Sequence, residues 1–398
     1  MGRALPDRSL EAGAGTVAHG TFEKYRKAML LSSRPLLDTR ADRRLFVGRT
    51  SQLAALDRAR RAGLNTLVLG DRGSGSTSLL RQVALRLREE RCHRVELVDA
   101  GPTDGAEELL TLLVERLLPT GTPPHLPGPR PGLSEGGRLL ALLDRLRREL
   151  PAVLDHPPVD ADKGPAWEAG RPVVVLLDNA SSAAAHVLMG RLRDETWSLP
   201  VVWVVAADRS AAAGFLEPPA DTFFEARGVL DELSVDEAVA LLRARVAAAR
   251  RAAPGGRVPN ELLRRIVDGV PVRTPRALVS ALRDVVGAAG EAGASVAGAG
   301  TSPTLAAVDL VTGQQRERAG RLAHLGRSAA MLVAELQSRG GSASASDDGL
   351  LDALGWTRSR ASQVFRQLEA ADLVTASERR VNGAGRPRKV YELVGRVR

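Results

Sequence analysis

The chain has 398 residues, 44% of them hydrophobic and 26% charged, with 56 lysines and arginines against 47 acids, so the net charge is +9. This composition suits a globular protein of roughly two to three domains and excludes wholesale disorder. No apolar run approaches the ~18 residues of a membrane span, the start MGRALPDRSLEAGAG lacks the apolar segment of a secretory signal, and the one cysteine, Cys92, excludes an intrachain disulfide and a cysteine-based zinc site. A cytoplasmic setting is expected. The basic balance suggests an anionic partner. Only four of the 56 basic residues are lysines, however, and an arginine skew with so much Ala and Gly is what GC-rich codons produce. Where the charge sits therefore matters more than its sum.

Residues 1–43 are mixed and polar and read as an arm with one short helix near Thr21–Leu31. From Arg44 short apolar runs alternate with helical patterns, the signature of a parallel α/β sheet. Strands are expected at Thr66–Leu69, Val95–Val98, Val173–Leu177, Val201–Ala206 and Phe223–Ala226. After the first, Leu79, Leu80, Val83 and Leu87 keep one helix face apolar. Pro119–Gly132 and the stretch between Leu150 and Arg171 read as surface inserts around a helix over Ser134–Leu150. From Ser234 the pattern is all-helical. Ser234 and Glu237 form a capping box for Val235–Ala249, a second helix begins near Asn260, and a third follows Thr274-Pro275. Gly287–Thr304 is rich in small residues and reads as a flexible linker.

The first strand runs into Gly70-Asp71-Arg72-Gly73-Ser74-Gly75-Ser76-Thr77 and then a helix. The Walker A pattern G-x-x-x-x-G-K-[S/T] is met at Gly70, Gly75 and Thr77 in the strand–loop–helix context it requires. Glycines let main-chain N–H groups curl round a phosphate, and the helix N-terminus adds positive potential. The lysine is absent and Ser76 takes its place, so charge for the phosphates would have to come from elsewhere, Arg72 being one source.

Phe46-Val47-Gly48-Arg49 upstream resembles the F-V-G-R-E motif of a P-loop ATPase group. That group includes the signal-transduction ATPases with numerous domains (STAND) and the origin-recognition initiators of the AAA-plus class. Val173–Asp178 resembles Walker B, the strand Val201–Ala206 leading to Asp208-Arg209 resembles sensor 1, and Gly269-Val270-Pro271 with Thr274-Pro275-Arg276 resembles the lid and its sensor-2 arginine. The resemblance spans Phe46–Gly287. It implies an α/β P-loop core with a helical lid. It also implies ATP or ADP with Mg²⁺, held by Gly70, Arg72, Gly73, Gly75, Ser76, Thr77, Asp178 and Arg276, the metal on Thr77 and Asp178. The departures all concern hydrolysis: Ser76 for lysine, Asn179 for the acid after Asp178, Ala206 or Ala207 at sensor 1, and Thr50 for the acid after Arg49. An amide can hydrogen-bond the attacking water but cannot take its proton.

In the last ~80 residues, Ser328–Ser338 reads as a first helix, and Asp347–Leu354 as a second with Ser346 as its cap. Gly355-Trp356 makes a turn, and Thr357 caps a third helix, Arg358–Ala370. Ala361, Val364, Phe365 and Leu368 give this third helix an apolar face, while Arg358, Arg360, Ser362, Gln363, Arg366 and Gln367 line the other. This is the helix-turn-helix layout, with side chains that can read guanine and adenine edges. Leu373–Arg380, a turn at Val381–Pro387 and Arg388–Leu393 form a wing, whose Arg379, Arg380, Arg386, Arg388 and Lys389 suit the phosphate backbone. From Thr357 to Arg398 ten basic residues face four acids. The segment resembles winged helix-turn-helix domains of bacterial repressors.

The expected organisation is an arm (1–43), a P-loop domain (44–230), a helical lid (231–287), a linker with a connecting helix (288–320) and a winged helix (321–398). The function expected is nucleotide-responsive regulation or assembly on double-stranded DNA, in the nucleoid, with weak or absent hydrolysis. A second copy or another protein is a further expected partner. The rival readings are an ATP-hydrolysing switch, such as a replication initiator or mobile-element factor, and a protein-interaction adaptor that binds no DNA.

Overall fold

The computed structural model describes residues 31–101, 103, 105–118, 134–160, 164–252, 258–294, 305–339, 341–379 and 388–394. The Pro119–Gly132 insert, the wing turn Val381–Pro387 and all of the arm helix but Leu31 lie outside these residues. The chain forms two compact units, one of residues 33–245 with 274–276, the other taking in 246–273 and 277–398.

The first unit is a parallel α/β sheet. In chain order it contains α1 (Thr50–Arg61), β1 (Thr66–Gly70), α2 (Ser76–Glu90), β2 (Val95–Asp99), α3 (Ala106–Leu117), α4 (Glu135–Asp155), β3 (Val173–Asp178), β4 (Val201–Asp208) and β5 (Ala226–Leu230). The strands lie in the order β2-β3-β4-β1-β5, and every neighbouring pair is parallel. β1 and β3 are buried along their whole length, which is why they read as unbroken apolar runs: helices cover both faces. Leu109, Leu113, Leu143 and Leu146 of α3 and α4 pack with Leu67, Val175 and Val205 on one face. Leu56 of α1 and Leu79, Leu80 and Leu87 of α2 pack with Val68, Val174 and Val204 on the other.

The first four strands begin where the sequence places them. The fifth does not: Ala220–Phe223 is a 3₁₀ turn, and the strand is Ala226–Leu230. Phe223 and Phe224 look like strand residues by composition, but they meet edge to face at 5.3 Å inside the core and leave the ladder to the residues that follow. α4 continues through Pro151 to Asp155, five residues beyond Leu150. The second insert carries a two-residue antiparallel pair, Val159–Asp160 with Gly164–Pro165.

The boundary between units falls inside α5 (Val235–Ala252) and at the start of α7 (Pro275–Ala294), with α6 (Asn260–Gly269) between them. The capping box is present: Ser234 N–H donates to Glu237 Oε2 at 3.0 Å, and Glu237 N–H to Ser234 Oγ at 3.2 Å. The expected linker starts too early. α7 runs on through Gly287 to Ala294, because alanine-rich sequence sustains a helix despite its small residues.

In the second unit α8 (Leu305–Leu325) lies against α6. Thr312 is buried on Gly269, where an added Cβ would come within 2.3 Å of Thr312 Cγ2, and Arg265 pairs with Asp309 at 2.8 Å. There follow α9 (Arg327–Ser338), β6 (Ser342–Ser344), α10 (Asp348–Leu354), α11 (Arg358–Ala370), β7 (Val374–Arg379) and β8 (Arg388–Leu393). The three strands form an antiparallel sheet in the order β6-β8-β7. Leu332, Leu336, Leu350, Phe365, Leu368 and Tyr391 share one core, with Phe365 stacked on Tyr391 at 4.3 Å. The cap of α10 is Asp347, whose Oδ1 accepts from Leu350 N–H, and not Ser346, which lies one residue too early to reach it.

Candidate phosphate site and nucleic-acid face

β1, an interior strand beside the edge strand β5, ends at Gly70, and α2 begins at Ser76. The turn between them needs its glycines: Gly73 and Gly75 have φ of 91° and 95°, the left-handed region. At Gly70 an added Cβ would lie 2.3 Å from Ser74 Oγ, so the loop closes over its own first residue. The N–H groups of Gly75, Ser76 and Thr77 find no acceptor among the described residues, as at any helix N-terminus that awaits one. Ser76, at the lysine position, is half-buried.

Arg276 lies over this loop. Its Cβ would come 3.0 Å from a Cβ on Gly73, and its N–H donates to the Gly73 carbonyl at 3.4 Å. Pro275 packs beside Gly75. Burial lowers the pKa of the Arg276 guanidinium, and the nearby charge of Arg72 lowers it further. No carboxylate among the described residues pairs with Arg276. Arg72 itself leans toward the end of β4, with Nε 3.6 Å from Asp208 Oδ2. Arg209, next to Asp208, pairs with Asp231 at 3.0 Å and approaches Asp71 of the loop at 3.6 Å.

Asp178 ends β3, is only 5% exposed and accepts a hydrogen bond from the Thr77 hydroxyl. Burial pushes its carboxyl pKa up, and the charge of Asp99 adds to this, against the hydrogen bonds from Thr77 and Asn179 N–H. Asp99 is the cross-strand partner of Asp178 in the β2–β3 ladder. It also captures Asn179, whose Nδ2 donates to Asp99 Oδ1 at 2.9 Å. Asn179 stands at φ 56°, and its amide is committed to the β2 edge. Ala206 and Ala207 are buried in β4, which offers no hydroxyl, amide or charged side chain before Asp208. Asp99 was missed in the sequence, although VELVD ends in an acid just as VVVLLD does.

On α11, Ala361, Val364, Phe365 and Leu368 are buried, as their spacing requires. Arg358, Arg360, Gln363 and Arg366 are exposed, and Ser362 is half-buried. Arg360 is turned back onto its own domain: its guanidinium donates to Ser328 Oγ at 3.0 Å and stands 5.3 Å over the Trp356 ring. Lys389 pairs with Glu369 of α11 at 3.0 Å, which raises its pKa, and lies 5.0 Å over the Tyr391 ring. Arg379 and Arg388 are direct partners across β7 and β8. Arg380 and Arg386 lie outside the described residues.

No protein-family model and no curated protein matches the chain. Solved structures are similar in trace. Cdc6p from Pyrobaculum aerophilum is 16% identical over 87% of this chain and 89% of that one, with a TM-score of 0.47. The ORC2 protein of Aeropyrum pernix, solved as ADPNP-ADP complexes, is 16% identical over 93% and 94%, with a TM-score of 0.47. The RuvB Holliday junction branch migration motor of Thermotoga maritima is 15% identical over 87% and 93%, with a TM-score of 0.42. At these values the likeness adds no weight to the site's own geometry. That geometry is a P-loop arrangement: strand, glycine loop and helix on a parallel α/β sheet. No helix among the described residues is long and apolar enough to cross a membrane.

Proposed function

We propose that this protein binds double-stranded DNA through its winged helix and a nucleotide through a P-loop module of the AAA-plus type, with little or no hydrolysis. The observation that carries the nucleotide half is Arg276, a half-buried guanidinium with no carboxylate partner among the described residues, set over Gly73 beside a second cation, Arg72. A half-buried guanidinium at a set of main-chain donors without acceptors among the described residues calls for an anion. The residues fit a nucleotide with Mg²⁺. Gly73, Gly75 and Arg276 would face the phosphates, and the Thr77 hydroxyl and Asp178 carboxylate would supply the oxygen ligands the metal takes alongside phosphate. Bound there, the metal would neutralise phosphate charge. Hydrolysis lacks its groups: Ser76 brings no charge, and the Asn179 amide is spent on Asp99.

The DNA half rests on α11, whose exposed face carries Arg358, Gln363 and Arg366 above a packed core. The wing strands bring Arg379, Arg388 and Lys389 to the same domain, with Arg380 and Arg386 between them in sequence.

Calorimetric titration of the full chain with ADP and Mg²⁺ tests the first half. Binding that falls at least tenfold in Arg276→Ala supports it, and absence of heat up to millimolar ADP refutes it. Fluorescence anisotropy with duplex DNA at graded salt tests the second half. Gln363→Ala should relax sequence preference by roughly 1–3 kcal/mol, and Arg386→Ala should weaken all sequences alike and reduce the salt slope by about one. No binding at low salt would leave the winged helix a protein-contact module.

A further inference from the structure

Arg49 is a buried cation. It precedes α1 in the left-handed region, at φ 61° and ψ 21°, directly after Gly48 at φ 80°. Two successive left-handed residues, the second an arginine, are held only where the surroundings impose them. Here Glu237 imposes them. Its Oε1 accepts the Arg49 main-chain N–H at 3.2 Å, while its Oε2 accepts the Ser234 N–H at 3.0 Å. The same carboxylate lies 3.0 Å from where a Cβ on Gly48 would stand, so a side chain there would press on the Glu237 carboxylate as well as strain the backbone at φ 80°.

This backbone sends the Arg49 side chain inward, where the residue is 5% exposed. Its Nη2 donates to the Ser74 carbonyl of the phosphate loop at 3.2 Å, and its Nε is buried without a partner. Burial lowers the guanidinium pKa, partly offset by the charges of Glu237 and Asp231. Burying a cation against a single carbonyl is costly as packing alone.

The geometry of the peptide gives the contact a consequence. In a trans peptide the carbonyl and the next N–H point to opposite sides. With the Ser74 carbonyl held by Arg49, the Gly75 N–H of the same peptide points away from Arg49. Ser74, between two left-handed glycines, is 2% exposed and cannot turn over while Arg49 holds it.

We propose that Arg49 is the positioning residue of the phosphate loop: it holds the Ser74 carbonyl inward and so presents the Gly75 N–H to a phosphate oxygen. The proposal rests on reading this loop as a phosphate site. The Glu237 carboxylate is the brace, tying the loop's orientation to the first turn of α5.

The test uses the full chain and inorganic tripolyphosphate, a probe with no base to bind elsewhere. Arg49→Gln should weaken tripolyphosphate about tenfold or more, which is ~1.4 kcal/mol. In the ligand-free variant, amide exchange should quicken over residues 70–77 and not across the sheet. Should Arg49→Gln fail to fold, Glu237→Gln keeps the arginine and withdraws its brace, and a several-fold loss of the same kind is expected. Binding as tight as wild type in whichever variant folds overturns the inference, as does exchange that quickens through the whole sheet or not at all. Failure of the wild type to bind tripolyphosphate overturns the phosphate-site reading itself.

Discussion

Asn179→Asp is the smallest change that probes the end of β3. Asparagine and aspartate both tolerate the left-handed conformation found there, φ 56°, so the backbone should not move. What changes is the contact with Asp99, now an amide donating to a carboxylate at 2.9 Å. With a carboxylate in its place the contact becomes repulsive, and the β2–β3 ladder keeps the two backbones from parting. Two unit charges 4 Å apart repel by about 4 kcal/mol at an effective dielectric of 20 and by about 1 kcal/mol in water. The contact is exposed and its side chains can rotate apart, so the lower figure governs. A lost hydrogen bond adds about 1 kcal/mol. The α/β unit should lose about 1–2 kcal/mol at pH 7.5. The introduced carboxylate binds its proton more tightly in the folded chain than in the unfolded one. Its cost is therefore absent below the unfolded value of about 3.9 and complete only above the raised folded value, so wild type and variant should converge as the pH falls toward 4. Urea unfolding followed by tryptophan fluorescence measures this, since Trp167, Trp197 and Trp203 lie in the α/β unit and only Trp356 outside it. Adding Asp99→Asn should restore most of the loss. Equal stability at pH 7.5, a deficit that does not shrink with acid, or no rescue by Asp99→Asn would each refute the pairing.

Other perturbations follow from named contacts. Gly269→Ala drives a methyl group into the buried Thr312 side chain, and should cost about 1–3 kcal/mol in a thermal melt of the second unit. Phe365→Ala removes the ring stacked on Tyr391 in the core of the second unit, and should cost about 3–5 kcal/mol and abolish the proposed DNA binding in an anisotropy assay. Glu369→Gln releases Lys389 from its exposed ion pair. Such pairs are worth ~0–1 kcal/mol, so DNA affinity at low salt should rise, by up to about fivefold. Asp178→Asn removes a carboxylate whose pKa is raised by burial and by Asp99. The stability of the wild-type group falls as pH rises through that raised value, so the variant should melt higher than wild type at pH 7.5, by a margin that vanishes in acid.

The sequence alone determined the elements whose causes are local. β1 and β3 are continuous apolar runs because the residues that must be buried on both faces are adjacent in the chain. The capping box at Ser234 and Glu237 and the buried face of α11 are set within one or two helical turns. Glycines at 73 and 75 announce a loop that needs positive φ. Tertiary structure alone decided which of these local pieces meet. Asn179 reads as a weakened catalytic position until the sheet order sets β2 beside β3 and gives its amide to Asp99, 80 residues away. Arg49 reads as a motif letter until Glu237, 188 residues on, turns it toward Ser74. Arg360 and Lys389 read as open DNA contacts until folding brings Ser328 and Glu369 to them. Helical spacing and caps act over a few residues and leave a period or a residue type behind. A hydrogen bond between two strands or two helices leaves no mark on either segment, since its geometry exists only once the chain is packed.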